Sequence, residues 1–303
     1  MKRIAILLLL AALLVSLLAA CGQPAPPPED DAAITVAAAT YPIALLADAV
    51  AEGADNITVT AVVNQEISCV HDYTLTTRDM QTVEAADILL LNGAGLDVFL
   101  DDVLAAYPGT VVDCSAGIPL LTMEDGEPDP HIWMDPARAG QMAQNIAKAL
   151  AEADPDHAEL YRKNATDVMA QLYALRDELY DRVSGSGADG YCHQLITFHD
   201  GFAYFADSFD LILLCSIEEE PGSEASAQDI AEIIDLIRTE QVPLIFIETN
   251  SSHATADAIA RETGAAVREL TLIMNGDINA GLSSYEDAMR ANIEALRLPG
   301  GDA

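Results

Sequence analysis

The sequence predicts an α/β protein made of two parallel-sheet lobes joined by one long helix. Three observations carry this reading. Short apolar, β-branched runs alternate with helical patterns along the chain, as parallel strands covered by crossover helices require. The plan occurs twice, once on each side of residues 155–183. That segment spaces Leu160, Val168, Leu172, Leu175, Leu179 and Val183 at mostly three- and four-residue steps. Such spacing describes one amphipathic helix of about 28 residues, roughly 40 Å at 1.5 Å per residue.

Residues 1–20 read as a secretory signal: Lys2 and Arg3 form a basic start, residues 4–18 are almost unbroken apolar, and Leu18-Ala19-Ala20-Cys21 ends the run. The run is shorter than the roughly 20 residues that span a bilayer, which argues against an uncleaved anchor. Residues 21–31 hold four prolines, three acids after Gln23 and no large apolar side chain, and therefore read as an extended tether. A first lobe is expected over 32–153, the linking helix over 154–184 and a second lobe over 185–303. The first lobe reads as strands at 34–40, 57–63, 87–92 and 110–114, with helices at 43–52, 76–85, 96–107 and 136–152. Pro136 fits the first turn of the last of these. In the second lobe, strands are expected at 194–198, 211–217, 243–248 and 265–270, with helices at 201–208, 225–239, 254–263 and 284–296. Ser184-Gly185-Ser186-Gly187 ends the long helix.

The formal charge is −35, and removal of Lys2 and Arg3 with the signal would make it more negative by two. Nucleic acid is excluded as a partner by such a field. An acidic surface concentrates cations, though without selecting among them. After Cys21, four cysteines remain: Cys69, Cys114, Cys192 and Cys215. An even number outside the cytoplasm permits two disulfides, and pairing Cys69 with Cys114 and Cys192 with Cys215 would keep each bridge inside one lobe. Cys69 lies close to His71, but the spacing is not that of a zinc knuckle.

Three of the six histidines, His71, His131 and His199, sit among acids and turn residues: Cys69-Val70-His71-Asp72-Tyr73, Asp129-Pro130-His131-Ile132-Trp133-Met134-Asp135-Pro136 and Thr197-Phe198-His199-Asp200-Gly201. Neutral imidazole is a good ligand for zinc and related ions, and three ligands with carboxylate or water in the fourth position is a common arrangement. Ligands of open α/β sheets bind outside the carboxyl ends of the strands. His71 follows the second predicted strand and His199 the fifth, so each lobe can present a histidine to one cleft. His157, His193 and His253 are expected to be solvated or capping residues, and Trp133 to pack beneath the site. The run Glu218-Glu219-Glu220 reads as a solvated face on the cleft side.

These motifs, with Asp79, the phrases 85–96 and 197–205, the stretch 226–237, Glu248-Thr249-Asn250, Glu262-Thr263-Gly264, and Tyr285 with Met289 and Asn292, resemble the metal-binding substrate-binding proteins of zinc and manganese ABC transporters. Cys21 resembles the lipidated cysteine of a bacterial lipoprotein. The resemblance implies two lobes with one metal between them, delivered to an ABC permease by a monomer anchored outside the cytoplasm through lipid. It also implies no chemistry on the metal. His71, His131 and His199 carry over as ligands. Many relatives place an acid two residues before the tyrosine of the last motif, where this chain has Ser283; Asp277 is the expected replacement, Glu248 the second choice and water the third. Residues 122–128 hold no histidine, unlike the histidine-rich loop of many zinc carriers. Three imidazoles with a carboxylate favour Zn2+ over Mn2+. Two other classes compete: a zinc hydrolase, against which no HExxH helix is present, and a cell-adhesion protein with a structural metal, which would unfold on chelation whereas a carrier would not.

Overall fold

Both expected sheets form, each from four parallel strands, in the computed structural model, which describes residues 33–63, 70, 73–123, 125–185, 188–218, 226–249, 252–275 and 284–299. The first comprises β1 (Ile34–Ala38), β2 (Ile57–Ala61), β3 (Ile88–Leu91) and β4 (Thr110–Asp113) in the order β2-β1-β3-β4. The second comprises β5 (Gln194–His199), β6 (Ile212–Glu218), β7 (Leu244–Glu248) and β8 (Ala266–Leu270) in the order β6-β5-β7-β8. The two lobes thus repeat one topology, and in each the order reverses beside the first strand, where the crossovers leave opposite faces and open a crevice.

Helices α1 (Tyr41–Ala51), α2 (Thr77–Glu84), α3 (Asp101–Leu104) and α4 (Pro136–Ala153) belong to the first half of the chain. The long helix α5 runs over Ala158–Val183, 26 residues, entered through a single 3-10 turn at Pro155–His157. It is followed by α6 (Ala203–Ser208), α7 (Ala227–Glu240), α8 (Ala254–Thr263) and α9 (Tyr285–Ala295). Among the described residues no helix is long and apolar enough to cross a membrane. Residues 1–32, with Cys21 and the tether, lie outside the described residues.

One expected helix is not continuous. Residues 96–107 form a 3-10 turn at Leu96–Leu100 and then the short α3. The break sits at Asp97, whose backbone leaves the helical region and whose carboxylate accepts the amides of Asn92 (3.0 Å) and Gly93 (2.7 Å). Burial pushes this carboxyl up to about 6, against the opposing pull of those amides.

Strand parity divides the core. In β5 and β7, Leu195, Leu244 and Phe246 face a large cluster, whereas Ile196, Phe198, Ile245 and Ile247 face a second one beneath α7 and α8. In β1 and β3, Val36, Ala38, Ile88 and Leu90 join the same large cluster, and Ala37 and Leu89 join a third beneath α2. The large cluster is continuous between the lobes and is floored by α4 and α5. On α5 its buried positions are Ala158, Tyr161, Ala165, Leu172, Leu175, Leu179 and Val183, a seven-residue period that keeps one stripe against α4. Close approach of the two helices needs Gly140, where a β-carbon would lie 2.9 Å from Met169 Cγ.

The Cys192–Cys215 bridge that the even cysteine count permits does not form, and both residues are free thiols. Cys192 belongs to the large cluster, with Sγ donating to the Gln194 carbonyl, while Cys215 packs against the cluster on the other face of the sheet. Opposite faces cannot be bridged without moving a strand. Cys114 is a buried free thiol, raised well above its ordinary value by burial, and Cys69 lies outside the described residues.

His157 is not simply solvated. It joins Asn56 and Tyr161 around one carboxylate oxygen of Asp154, at 2.8, 3.0 and 2.6 Å, in the link between α4 and α5. Burial alone would raise Asp154, but the hydrogen bonds from Tyr161, Asn56 and His157 outweigh it and lower it to about 2. A depressed carboxyl contributes stability above its unfolded value of about 4, and the contribution disappears as pH falls through the folded value. Asp154→Ala is therefore expected to cost about 1–3 kcal/mol at pH 7, with the gap to the parent protein closing towards pH 2. Urea unfolding at several pH values checks this, and a pH-independent gap would contradict it.

Candidate metal centre

The parity that divides the core also aims the site. His199 ends β5 in phase with Leu195, and Glu248 ends β7 in phase with Leu244 and Phe246, so both point to the inner, first-lobe side. The two strands flank the reversal point of the second sheet. His199 is the last residue of β5 rather than a residue beyond it. Glu248 Oε1 accepts the His199 amide at 2.8 Å, which ties the two strand ends together.

His131 arrives from the first lobe on an irregular segment, and each side of that segment is pinned. A small hairpin precedes it, with the Asp129 amide bonded to the Leu121 carbonyl at 2.9 Å. Asn92, at the carboxyl end of β3, donates to the Pro130 carbonyl at 2.9 Å. A 3-10 turn at Ile132–Met134 follows, and then Asp135 caps α4 by accepting from Ala137 and Arg138. Asp129 Oδ1 accepts both the His131 amide, at 2.9 Å, and the Nδ1 proton, at 2.8 Å. This carboxylate selects the tautomer with Nδ1 protonated and leaves Nε2 as a lone pair.

That lone pair faces His199. The two Nε2 atoms lie 3.3 Å apart, with both rings 1% exposed. Two nitrogens bound to one zinc at about 2.05 Å in tetrahedral geometry are separated by about 3.3 Å. The pair therefore already has the spacing of two ligands on one ion, and without an ion a ring-to-ring hydrogen bond fits the same spacing. Gly201 runs close beneath: a β-carbon there would lie 2.9 Å from His199 Cδ2 and 3.2 Å from His131 Cδ2.

The remaining expected ligands, His71 and Asp277, and Ser283 at the alternative slot, lie outside the described residues, as do Glu219 and Glu220. Their flanks are described. Tyr73 donates to Asp79 Oδ2 at 2.7 Å, and the same oxygen caps α2, anchoring the chain just after His71. Burial and Asp79 push the Tyr73 hydroxyl up to about 12. On the other side, Asn292 bonds both the amide and the carbonyl of Thr271, each at 2.8 Å. Ile273 is held at φ 60°, costly for a β-branched residue, in the turn that leads towards Asp277.

Trp133 packs beneath His131 as expected, ring centroids 5.5 Å apart. Sequence reasoning did not foresee its second task. Its Nε1 donates to the Leu272 carbonyl at 2.7 Å, and its own carbonyl accepts the Tyr285 hydroxyl at 2.6 Å, so both ends are held by the second lobe. Tyr204 adds a further tie, donating to the Asp129 carbonyl at 3.0 Å and accepting from the Leu121 amide at 2.9 Å. Asp129 and Asn92 were also missed as orienting residues; for Asn92 the available signal was a polar residue in inward phase just past the end of β3. His253 makes no capping bond and instead meets Glu269 at 3.0 Å.

Asp129 is the most direct test of orientation. Asp129→Ala leaves a buried ring N–H without its carboxylate and lets the imidazole turn, so affinity for Zn2+ should fall by about 10- to 100-fold with the fold kept. Competition titration against a chelator measures this, and wild-type affinity would remove Asp129 from the site.

The family described as zinc-uptake complex component A, periplasmic, matches residues 36–298. The iron-binding protein YfeA of Yersinia pestis is 33% identical over 205 residues, 65% of this chain and 64% of that protein, so the chain spans just under two thirds of that relative's length. The high-affinity zinc uptake system protein ZnuA of Bacillus subtilis is 27% identical over 247 residues, 75% of this chain and 76% of that protein. Among solved structures, the laminin-binding protein Lmb of Streptococcus agalactiae, described as bifunctional with adhesin and metal transporting activity, is similar with a TM-score of 0.76 at 28% identity, covering 87% of this chain and 98% of that one. With its histidine motifs in two like-folded lobes and the family match running over nearly all of the described chain, this protein belongs to the periplasmic zinc-uptake complex component A family of metal-binding ABC-transporter substrate-binding proteins.

Proposed function

We propose that the protein captures one divalent cation outside the cytoplasm and delivers it to an ABC permease, with zinc as the cargo. The observation that carries this reading is the meeting of His131 and His199, one from each lobe, at 3.3 Å with their Nε2 atoms facing. His71 and Asp277 are the proposed third and fourth ligands, with Glu248 or water as the alternative to Asp277. Zinc is favoured over manganese because imidazole-rich sites bind it more tightly in the usual affinity order. Among the relatives one is named for iron and another for zinc uptake, and metal analysis of protein purified without added metal distinguishes the two cargoes.

A carrier needs a site that fills and empties while the fold persists, and the continuous core beneath both lobes supports such persistence. Against the hydrolase reading, the sequence carries no HExxH helix to supply a general base. The competing adhesin reading, with a structural metal, predicts unfolding on chelation, whereas a carrier keeps its fold. The lobe limits 32–153 and 185–303, the lipid anchor at Cys21 and the monomeric state belong to the same proposal.

Titration with Zn2+ should reveal one tight site. At a hundred times its dissociation constant the ion adds about 2.7 kcal/mol of stability, so the melting temperature should rise, and His199→Ala should abolish most of that rise. Asp277→Asn should weaken binding by about tenfold or more, as expected when a charge facing a dication is deleted, while Ser283→Ala should do little. Two equal tight sites, or none, would refute the proposal.

Attachment is tested separately. Cys21→Ser should release the protein from the membrane fraction without changing zinc affinity, because the tether precedes the folded lobes. Retention of the serine variant with lipid would show that the anchor assignment is wrong.

A further inference from the structure

The two segments that bear the histidines are joined by a second polar cluster, centred on Arg138. In the first turn of α4, seven residues beyond His131, Arg138 donates from Nη1 to Asp135 Oδ2 at 2.7 Å and to Asp207 Oδ2 at 2.8 Å. Its guanidinium lies over the Tyr204 ring, 4.9 Å from the centroid. Asp135 Oδ1 also accepts from Ser208 Oγ at 3.3 Å. Tyr204, Asp207 and Ser208 all belong to α6, which begins four residues after His199.

The bridge is not an ordinary surface pair. The side chains of Arg138 and Asp135 are 18% and 8% exposed, and only Asp207, at 51%, is open to water. Beside it lies an open surface groove of about 350 Å³ lined by Pro119, Asp135, Gln141, Arg176, Asp207 and Ser208. α6 buries Tyr204, Phe205 and Ala206 in the shared core, and at its carboxyl end, beside the groove, the polar bridge ties Asp207 and Ser208 directly to the start of α4. The same cation presses on the Tyr204 ring, whose hydroxyl holds the Asp129 carbonyl, and Asp129 in turn orients His131.

We infer that Arg138 is a positioning residue for the metal site: by clamping α6 to the head of α4 it holds His199 and His131 at ligating distance and slows release of the ion. This rests on the reading of the site as one that holds an ion between the lobes. Loss of one partner of a largely buried, hydrogen-bonded charge pair acts mainly on dissociation, because the encounter step does not depend on the pair.

The test is stopped-flow release of Zn2+ from the full chain into excess chelator, measured with the melting temperature of the metal-free protein. Arg138→Gln should release zinc about tenfold faster than the parent, or more. Asp207→Asn, at a half-exposed position that a folded chain tolerates, should also accelerate release. The double variant should be no faster than Arg138→Gln alone, since both remove one bridge. A folded Arg138→Gln that releases at the parent rate overturns the inference, as does a lowered melting temperature with an unchanged release rate, or additive effects in the double variant. If Arg138→Gln fails to fold, Asp207→Asn decides: faster release supports the clamp and the parent rate overturns it. A parent protein that binds no zinc refutes the site reading as well, and is recognised before any variant is made.

Discussion

The site depends on one continuous apolar layer beneath both lobes. Helices α4 and α5 pack along a common stripe, and the inner faces of both sheets rest on them. Two histidines 68 residues apart in sequence can hold a 3.3 Å separation only if the elements bearing them do not drift. Prying the lobes apart would expose that layer to water, at roughly 25 cal/mol for each Å² of apolar surface. The shared core therefore permits small adjustments of the cleft and resists wide opening.

Upon this floor, a set of polar ties converts rigidity into ligand geometry. Nearly all of them converge on the short segment from Leu121 to Arg138, which has little regular structure of its own. Its carbonyls and amides are taken up by Asn92 from the first lobe and by Tyr204 and Tyr285 from the second, and the Trp133 ring nitrogen bonds the carbonyl of Leu272. A loop buried between two sheets must satisfy its backbone groups somewhere. Here the partners that satisfy them also orient His131, so the cost of burying the loop and the need to aim the imidazole are met by the same hydrogen bonds.

Electrostatics divides into a general and a local part. The charge of −35 surrounds the protein with a field attractive to any cation, whereas the local part fixes which nitrogen of His131 carries the lone pair. That choice belongs to Asp129, through its bond to His131 Nδ1. A neutral imidazole with its other nitrogen committed to a carboxylate is the more basic ligand, and its ring cannot turn away.

Much of this was legible in the sequence. Hydrophobic period marked all eight strands to within two residues and the long helix almost to its ends, because burial on both faces leaves unbroken β-branched runs and burial on one stripe leaves a seven-residue repeat. The three histidine motifs pointed to a metal site from residue chemistry alone, and of them the structure brings His131 and His199 together. What sequence could not decide was mutual placement. Nothing local distinguishes Cys192 and Cys215 as residents of opposite sheet faces, marks Asp97 as the point where a helix gives way to a loop cap, or pairs Arg138 with Asp207 and Trp133 with Leu272. Those relations join residues tens to more than a hundred positions apart, or depend on which face of a strand meets which helix. Local propensity and periodicity report a residue's own environment; the partners across the cleft are chosen only when the two lobes close on their common floor.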